Sequence, residues 1–353
     1  MKYKRKVLLN MLAVTDGGQV TRAKAIIESY QRFKPSFELI ILKREESLDF
    51  VKMNENYTVI NVKLWPAIPV LRPWKRLLWE NLYISHIIKK YYVDIYLTFS
   101  HYLPWSMPKS VFSVVGVTNL APFSHRALST ESLKMRIKMK ILKIGVINSS
   151  KRANQIIALS KYCKKVLENN GISPEKITVI SNGVPKLNSS LDSDKKALEK
   201  FGVKDEFILY VSSFFRYKKF DTVISAFAEL QSDIRNKYQL VFIGAIQDRD
   251  YYNELKNQID VLGLHNKVII IDAVPRNELN NFYINTRLFI FASLIENCPN
   301  ILLEALSFGC PIISSSEEPM PEFGGDAIEY FDPESSKELT NKIKNIINSD
   351  KKL

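Results

Sequence analysis

Leu288–Ser314 has the sequence LFIFASLIENCPNILLEALSFGCPIIS and is the segment most informative about the fold. It opens with a short apolar run, Leu288–Phe291, and closes with a second one, Pro311–Ser314. Pro299 lies between them and suits the first position of a helix, because that position needs no backbone N–H. The stretch therefore predicts a strand, a loop, a helix and a second strand, which is the repeating unit of a parallel α/β sheet.

The same alternation of short apolar runs and helical patterns extends along the chain. Continuous runs rich in Val and Ile are typical of strands buried on both faces of a parallel sheet. The other predicted strands are Val7–Val14, Phe37–Leu42, Tyr57–Val62, Asp94–Phe99, Val111–Val117, Gln155–Ser160, Lys176–Ile180, Phe207–Val211, Leu240–Ile243 and Lys267–Ile271. In the first half, helices are expected over residues 19–33, 72–90, 131–150 and 160–169.

A break separates two series of these units. Ser181–Pro185 has the composition of a sharp turn, and Lys186–Lys200 is polar, as expected of a linker followed by a short helix. The sequence therefore predicts an α/β protein with two doubly wound, Rossmann-like domains that face each other across a cleft. Residues 1–185 would form the N-terminal domain and residues 186–353 the C-terminal domain.

The composition of the 353 residues is that of a soluble globular protein, with 46% hydrophobic and 25% charged residues. The three cysteines and four histidines are not spaced as zinc ligands, and the cysteines indicate a reducing compartment. Lysines and an arginine before Val7–Val14 imitate a secretory signal, but Asn10 interrupts the apolar run, which favours a buried strand. No apolar run is long enough to span a bilayer.

Two glutamates, Glu296 and Glu304, flank the predicted start of the last helix in the opening stretch. The backbone N–H groups of Asn300, Ile301 and Leu302 would be free donors there, which suits a phosphate. Glu304 could accept two hydrogen bonds from a vicinal diol such as a ribose, and Glu296 could contact the group attached to the phosphate. Phosphate, diol and a further polar group together describe a nucleotide-sugar.

Two other interpretations of this glutamate pair stay open. The two side chains could be solvated on a surface helix. They could also be the carboxylate pair of a glycoside hydrolase, although eight helical residues span about 12 Å and such pairs lie roughly 5–9.5 Å apart unless a loop shortens the distance. The chain has no Gly-x-Gly-x-x-Gly and no Walker-type loop, which argues against a dinucleotide or P-loop site.

Further segments follow one another in an order that is typical of one enzyme family. They are Asp16-Gly17-Gly18 after the first strand, Gln155–Ser160, the Asn-Gly-Val turn in Val179–Val184, Tyr210–Lys218 followed by Asp221, residues 296–311, Pro321-Glu322 and Phe331–Pro333. In these segments the chain resembles the retaining nucleotide-sugar glycosyltransferases of family 4, which have the GT-B architecture. The resemblance covers nearly the whole chain and is most specific from about residue 150 to 333.

The resemblance implies catalytic roles for three residues. Lys218 would neutralise the donor diphosphate while the sugar–phosphate bond breaks, and Arg216 would share that task. Glu296 would position the hydroxyl groups of the transferred sugar. A different interpretation of Lys218 and its neighbour Lys219 is that both are solvated lysines at the start of a helix.

The resemblance also implies binding roles in both domains. Glu304 would hold the ribose, the backbone around Asn300, Ile301 and Leu302 would bind the phosphate, and Ala273-Val274 would meet the base through main-chain groups. The remaining implied residues are Gly17 and Gly18, a glycine loop that would allow close approach of the diphosphate or acceptor, and Asn119 and His125 on the acceptor side. A plain turn at the glycines and a surface position for His125 are the alternatives.

Family 4 chemistry implies hexosyl transfer from a UDP- or GDP-sugar to a glycan or lipid-linked acceptor, as in cell-surface polysaccharide synthesis. No cofactor and no metal are expected, because lysine, arginine and helix amides replace the metal. Two departures point to the alternative of a non-catalytic GT-B partner or regulatory subunit. Ser212-Ser213 stands where the family usually has Gly-Arg, and the sequence ends at Lys351–Leu353, where relatives usually continue with a last helix.

The excess of basic residues behind the net charge of +13 lies in the first half of the chain. Leu133–Ile144 alternates lysines with large apolar side chains, and Arg72–Arg76 mixes cations with tryptophan. Such surfaces suit anionic lipid headgroups, although a packed helix with solvated lysines is an equal alternative. A cytoplasmic enzyme, peripheral on the inner face of the membrane, is therefore expected. A nucleic-acid partner is not, because the chain has no recognisable nucleic-acid-binding motif.

Overall fold

The computed structural model describes residues 4–15, 17–64, 72–184 and 194–348. The elements of the first series are β1 (Lys6–Asn10), α1 (Gly17–Phe33), β2 (Glu38–Arg44), β3 (Tyr57–Val62), α2 (Arg72–Tyr91), β4 (Ile95–Thr98), β5 (Phe112–Val117), α3 (His125–Ser129), α4 (Leu133–Arg152), β6 (Gln155–Ala158), α5 (Lys161–Glu168) and β7 (Ile177–Val179). Those of the second are α6 (Lys196–Glu199), β8 (Glu206–Val211), α7 (Phe220–Ala228), α8 (Ser232–Lys237), β9 (Tyr238–Ile243), α9 (Arg249–Val261), β10 (Val268–Ile271), α10 (Arg276–Asn285), β11 (Leu288–Phe291), α11 (Asn300–Ser307), β12 (Ile312–Ser315), α12 (Met320–Gly324), β13 (Glu329–Phe331) and α13 (Ser336–Asn348).

The strands form two separate parallel sheets, which confirms the predicted α/β class with two Rossmann-like units of the GT-B type. The seven-stranded sheet has the order β3-β2-β1-β4-β5-β6-β7, and the six-stranded sheet has the order β10-β9-β8-β11-β12-β13. Their strands are apolar and largely buried because helices cover both faces, as in β9, where every residue is buried. No helix in the described part of the chain is long and apolar enough to cross a bilayer.

All the strands that the sequence predicts are present, but some of their ends differ. β1 stops at Asn10 instead of Val14, because the Asn10 side chain accepts a hydrogen bond from the backbone of Leu12 and turns the chain. β6 stops at Ala158, since Ser160 caps α5 by accepting from the backbone N–H of Cys163 at 3.0 Å. The short edge strand β13 was not predicted, because three residues carry too little periodicity.

Contacts between Cα atoms divide the chain into two compact units that do not follow the sequence order. The first contains Met1–Pro122 and Lys138–Asn182, and the second contains Phe123–Ile137 and Gly183–Leu353. The predicted boundary at residue 185, and the part of the predicted linker up to residue 193, lie outside the described residues. The second unit thus includes a segment, Phe123–Ile137, that comes from the N-terminal half of the sequence.

One arginine ties this segment to the rest of the second unit. Arg126, on α3, forms ion pairs with Glu317 after β12 and with Asp332 and Glu334 after β13. The pairs with Asp332 and Glu334 have N–O distances of 2.8 and 2.6 Å. Desolvation disfavours the charged form of Arg126, but the three carboxylates outweigh it and raise the pKa of Arg126. Burial disfavours the charged form of Asp332, but a hydrogen bond from the backbone of Glu334 and the charge of Arg126 outweigh it and lower the pKa of Asp332. A single cation therefore joins three elements of this unit.

Candidate functional site

The candidate site of the second unit lies where its strand order reverses. β8 lies between β9 and β11, so the chain runs outward in both directions from this pair of strands. Ligands of parallel α/β sheets bind beside the carboxyl ends of strands at such a position. The two loops that leave β8 and β11 touch there, since the backbone N–H of Leu294 donates to the carbonyl of Tyr217 at 2.8 Å.

Lys218 and Glu296 meet at this point and form an ion pair. Lys218 ends a 3-10 turn, Arg216–Lys218, and its carbonyl accepts a hydrogen bond from the hydroxyl of Tyr210 on β8 at 2.6 Å. The residue is only 8% exposed, and its ammonium lies 5.0 Å from the centre of the Tyr217 ring. Burial disfavours the ammonium ion, but the Glu296 carboxylate outweighs it and raises the pKa of Lys218. The alternative of a solvated lysine is therefore wrong for Lys218.

The neighbouring Lys219 is also not a solvated lysine. Its backbone has a φ of 55°, in the left-handed region, and it separates the 3-10 turn from α7. Its side chain is 15% exposed, and the ammonium binds the Asp221 carboxylate at 2.9 Å. Lys219 therefore turns the chain so that Lys218 faces Glu296.

Arg216 belongs to the same 3-10 turn but has different partners. Its guanidinium donates to both carboxylate oxygens of Glu254 at 2.7 Å, lies 3.4 Å from Asp248, and stacks over the Tyr251 ring. The hydrogen bonds that Arg216 donates to Glu254 raise the pKa of Arg216 in spite of desolvation. The structure does not bring Arg216 to Glu296, and its share in binding the diphosphate stays a prediction.

The helix after Glu296 begins one residue later than predicted. α11 starts at Asn300, and Pro299 occupies the preceding position, where its carbonyl accepts from the N–H of Leu303 at 3.0 Å. The N–H of Asn300 is not free, because it donates to the carbonyl of Cys298 at 2.9 Å. The prediction of three free donors is therefore wrong for Asn300. The N–H groups of Ile301 and Leu302 have no acceptor in the described part of the chain, and their binding of a phosphate stays a prediction.

Glu304 points inward from α11 and is 9% exposed. One carboxylate oxygen lies 3.0 Å from a guanidinium nitrogen of Arg276, and the other lies 3.5 Å from the hydroxyl of Tyr283. Burial raises the pKa of Glu304, and Arg276 opposes this shift. Since Glu296 is also paired and mostly buried, the interpretation of two solvated glutamates is wrong.

The loop between β10 and α10 contains Ala273 and Val274, the residues predicted to contact the base, and leads to Arg276. Ala273 is exposed, and its N–H donates to the side chain of Asp272 at 2.7 Å, while Val274 is partly buried against the core. α10 begins two residues after Val274, at Arg276. Sequence analysis did not identify Arg276, because an isolated arginine at a helix start has no spacing that separates it from a surface residue.

The residues predicted in the N-terminal half have simpler environments. Gly17 and Gly18 form the first turn of α1, so they are the start of a helix instead of a loop before it; Asp16 lies outside the described residues. The Asn119 side chain accepts from the N–H of Ala121 at 2.9 Å and shapes a turn. His125 opens α3 and is exposed, as the alternative interpretation expected. Among the described residues, no three of His, Cys, Asp or Glu are grouped so that they could hold a metal ion.

The segment that carries His125 also adjoins the 3-10 turn of Lys218. α3 and residues 216–218 are in contact within the second unit. Burial and nearby Asp248 raise the pKa of Glu131 on this segment, and Arg216 opposes them. Residues of a segment that the sequence analysis assigns to the first domain therefore lie next to the Lys218 turn.

Family models match both halves of the chain. The model for Glycosyltransferase Family 4 matches residues 16–186, and the model for glycosyl transferases group 1 matches residues 192–353. The chain belongs to glycosyltransferase family 4. The Lys218–Glu296 pair and the start of α11 lie in the part matched by the second model.

Two curated relatives have related sequences. An N-acetylgalactosamine-N,N'-diacetylbacillosaminyl-diphospho-undecaprenol 4-alpha-N-acetylgalactosaminyltransferase of Campylobacter jejuni is 29% identical over 168 residues, which are 47% of this chain and 42% of that protein. The O-antigen chain mannosyltransferase RfbU of Salmonella typhimurium is 24% identical over 233 residues, 66% of this chain and 60% of that protein. The match to the Campylobacter relative thus spans less than half of its length, and the match to RfbU less than two thirds.

Solved structures of other proteins have the same fold as this family 4 chain. The Anabaena protein Alr3699/HepE, crystallised with UDP and glucose, superposes with a TM-score of 0.71 over 99% of this chain and 91% of that chain. Its sequence identity is 18%, so the likeness concerns the fold alone.

Proposed function

We propose that this protein transfers a hexose from a UDP- or GDP-sugar to a glycan or lipid-linked acceptor, with retention of the anomeric configuration, in cell-surface polysaccharide synthesis. The observation that carries the proposal is the buried ion pair of Lys218 and Glu296 at the reversal point of the second sheet. A buried ion pair contributes little to stability, since desolvation of both charges offsets much of their attraction. A functional role therefore explains this pair better than a structural one. A cation paired with Glu296, in the loop that leads to the N–H groups of Ile301 and Leu302, suits a diphosphate.

In this mechanism Lys218 and the start of α11 stabilise the charge of the leaving group. The bond between the anomeric carbon and the phosphate oxygen breaks, its electron pair goes to the phosphate, and the acceptor oxygen bonds to the anomeric carbon. The acceptor proton passes to the leaving phosphate. Glu296 orients the sugar hydroxyls, Glu304 binds the ribose hydroxyls, and no metal takes part. Positive charge placed before the reaction stabilises the transition state without reorganisation.

The names of the relatives support this choice of substrates. The Campylobacter relative is named for a diphospho-undecaprenol acceptor, and RfbU is named for mannosyl transfer to the O-antigen chain. The HepE structure contains UDP and glucose. These names favour a nucleotide-sugar donor and an acceptor that belongs to a surface glycan.

A binding experiment tests the donor. The thermal unfolding midpoint would be measured with UDP, GDP and ADP and with their common sugars, because a ligand that binds only the native state stabilises it with the logarithm of its excess. We expect a shift with UDP or with GDP, and a smaller one or none with ADP. No shift with any nucleotide would remove the proposal and favour a non-catalytic partner of another transferase.

We further propose that the protein works on the inner face of an anionic membrane. On α2 the exposed residues Trp74, Leu78 and Leu82 follow one another at helical spacing, and their exposed fractions exceed 60%. On α4 the residues Leu133, Ile137, Ile141 and Ile144 also follow one another at helical spacing among lysines, and all four are exposed. Apolar side chains of this size interleaved with cations suit the boundary between acyl chains and anionic headgroups.

Vesicle sedimentation tests the membrane surface. The wild-type protein should sediment with phosphatidylglycerol vesicles much more than with phosphatidylcholine vesicles, and the bound fraction should fall with added salt. The variant Ile141→Asp/Ile144→Asp should lose most of this binding, whereas Val261→Asp, which changes an exposed apolar residue at the end of α9, should keep it. Equal binding by the two variants would contradict a role for α4.

A further inference from the structure

Glu304 is a buried carboxylate whose charge needs compensation inside the protein. It is 9% exposed, and moving a carboxylate out of water favours its protonated form. The cation that offsets this is Arg276, whose guanidinium nitrogen lies 3.0 Å from one carboxylate oxygen. Arg276 therefore favours the ionised form of Glu304 in the free protein.

The contacts of the Glu304 carboxylate in the described part of the chain leave acceptor positions without a donor. An ionised carboxylate has about four acceptor positions, and the described contacts are one with Arg276 and a long one of 3.5 Å with the Tyr283 hydroxyl. Arg276 itself is about half exposed, since 47% of its side chain is accessible. Arg276 can thus stay paired with one carboxylate oxygen of Glu304 while hydroxyl groups of a ligand donate to the remaining acceptor positions.

Among the described residues, few other groups near Glu304 could set its charge. Arg276 and Tyr283 both come from α10 and are the groups that act on it electrostatically. Glu322 lies on α12, which packs against α11, and the Cys310 thiol beyond α11 contacts the carbonyl of Tyr283. Arg276 is the cation of this group.

We infer that Arg276 is a positioning residue of the ribose subsite, which keeps Glu304 ionised so that it accepts hydrogen bonds from the ribose diol. The inference rests on the proposed function for the identity of the ligand. Hydrogen bonds to an ionised acceptor are about twice as strong as those to a neutral one. Loss of Arg276 therefore weakens nucleotide binding through Glu304, and the loss depends on pH.

The first measurement needs no nucleotide. Thermal unfolding would be followed from pH 5 to pH 8.5 for wild type, Arg276→Ala, Arg276→Lys, and Arg276→Ala in a Glu304→Gln background. Without Arg276 the pKa of folded Glu304 rises further above its unfolded value, so stability is retained at low pH and lost as pH rises. Arg276→Ala should fall increasingly below wild type toward pH 8.5, and the Glu304→Gln background should remove this slope. Equal pH profiles for wild type and Arg276→Ala would overturn the inference.

The second measurement uses UDP or GDP, whichever stabilises the wild type. Arg276→Ala should bind it about tenfold more weakly at pH 7, where a loss of 1.4 kcal/mol gives that factor, and should recover as pH rises because Glu304 then ionises. Arg276→Lys should keep most of the affinity, and Asn277→Ala, the next residue of α10, should match wild type. An undiminished affinity in Arg276→Ala, or the same loss in a Glu304→Gln background, would contradict the inference. If wild type binds no nucleotide, the proposed function fails, while the pH profiles still decide the role of Arg276.

Discussion

Replacing Lys218 with alanine is expected to lower the rate of sugar transfer by about 10²–10³-fold, the usual cost of removing one preorganised group that stabilises transition-state charge. Its ammonium is held against Glu296, in the loop that leads into α11, where the leaving diphosphate is proposed to lie. The rate would be followed as release of nucleoside diphosphate from the nucleotide-sugar that stabilises the wild-type protein. Binding of the nucleotide should weaken less than the rate falls, because leaving-group charge grows as the bond breaks.

The Lys218 variant needs a control for stability. Alanine at position 218 leaves the carboxylate of Glu296 partly buried and without its cation, which is destabilising. The double variant Lys218→Ala/Glu296→Gln removes this unpaired charge and should recover stability without recovering the rate. Lys256→Ala, at an exposed position of α9, should leave both unchanged. A folded Lys218→Ala protein with the wild-type rate would show that diphosphate charge is stabilised elsewhere.

Replacing Glu304 with glutamine is expected to weaken binding of a nucleoside diphosphate by about 10–100-fold, since a hydrogen bond to a charged group contributes roughly 1.5–3 kcal/mol. The substitution keeps the shape of the side chain and removes a buried charge, so the fold should tolerate it. Its former partner Arg276 is about half exposed and can be solvated. Isothermal titration calorimetry with the selected nucleotide would measure the loss.

Inorganic pyrophosphate separates the ribose contact from the phosphate contact. It lacks a ribose, so Glu304→Gln and wild type should bind it equally weakly, whereas Lys218→Ala should bind it less. Glu278→Gln provides a matched control on α10, because Glu278 pairs with Lys200 and not with the predicted ligand groups. Glu304→Gln with wild-type affinity for the nucleotide would refute the ribose assignment.

The fold could be predicted from the sequence because its strands are continuous apolar runs. Leu288–Phe291 and Tyr238–Ile243, for example, are wholly buried. Strands buried on both faces are mostly apolar along their length, and this continuous apolar run is the signal from which they were predicted. Local errors arose where a side chain redirects the backbone, as Asn10 does at the end of β1. Such a hydrogen bond depends on a single residue and leaves no periodic signal.

The candidate site was predictable in its residue types but not in its pairs. Glu296, Glu304 and Lys218 could be identified, yet the partners Arg276 for Glu304 and Glu254 for Arg216 come from distant parts of the chain. The same holds for Arg126, which is 191 residues from Glu317. Contacts at such separations follow from the order of strands in the sheet, and no local spacing encodes them. The involvement of Asn300 in a local turn likewise depends on one backbone hydrogen bond.

The placement of Phe123–Ile137 constrains any exchange of halves between family members. A chimaera joined at the Asn-Gly-Val turn in Val179–Val184 would inherit Arg126 from one parent and Glu317, Asp332 and Glu334 from the other. Those carboxylates would then face a foreign helix, and the Lys218 turn would lose its native neighbour. Productive recombination therefore requires that residues 123–137 travel with the C-terminal half, so the exchangeable module is discontinuous in the gene.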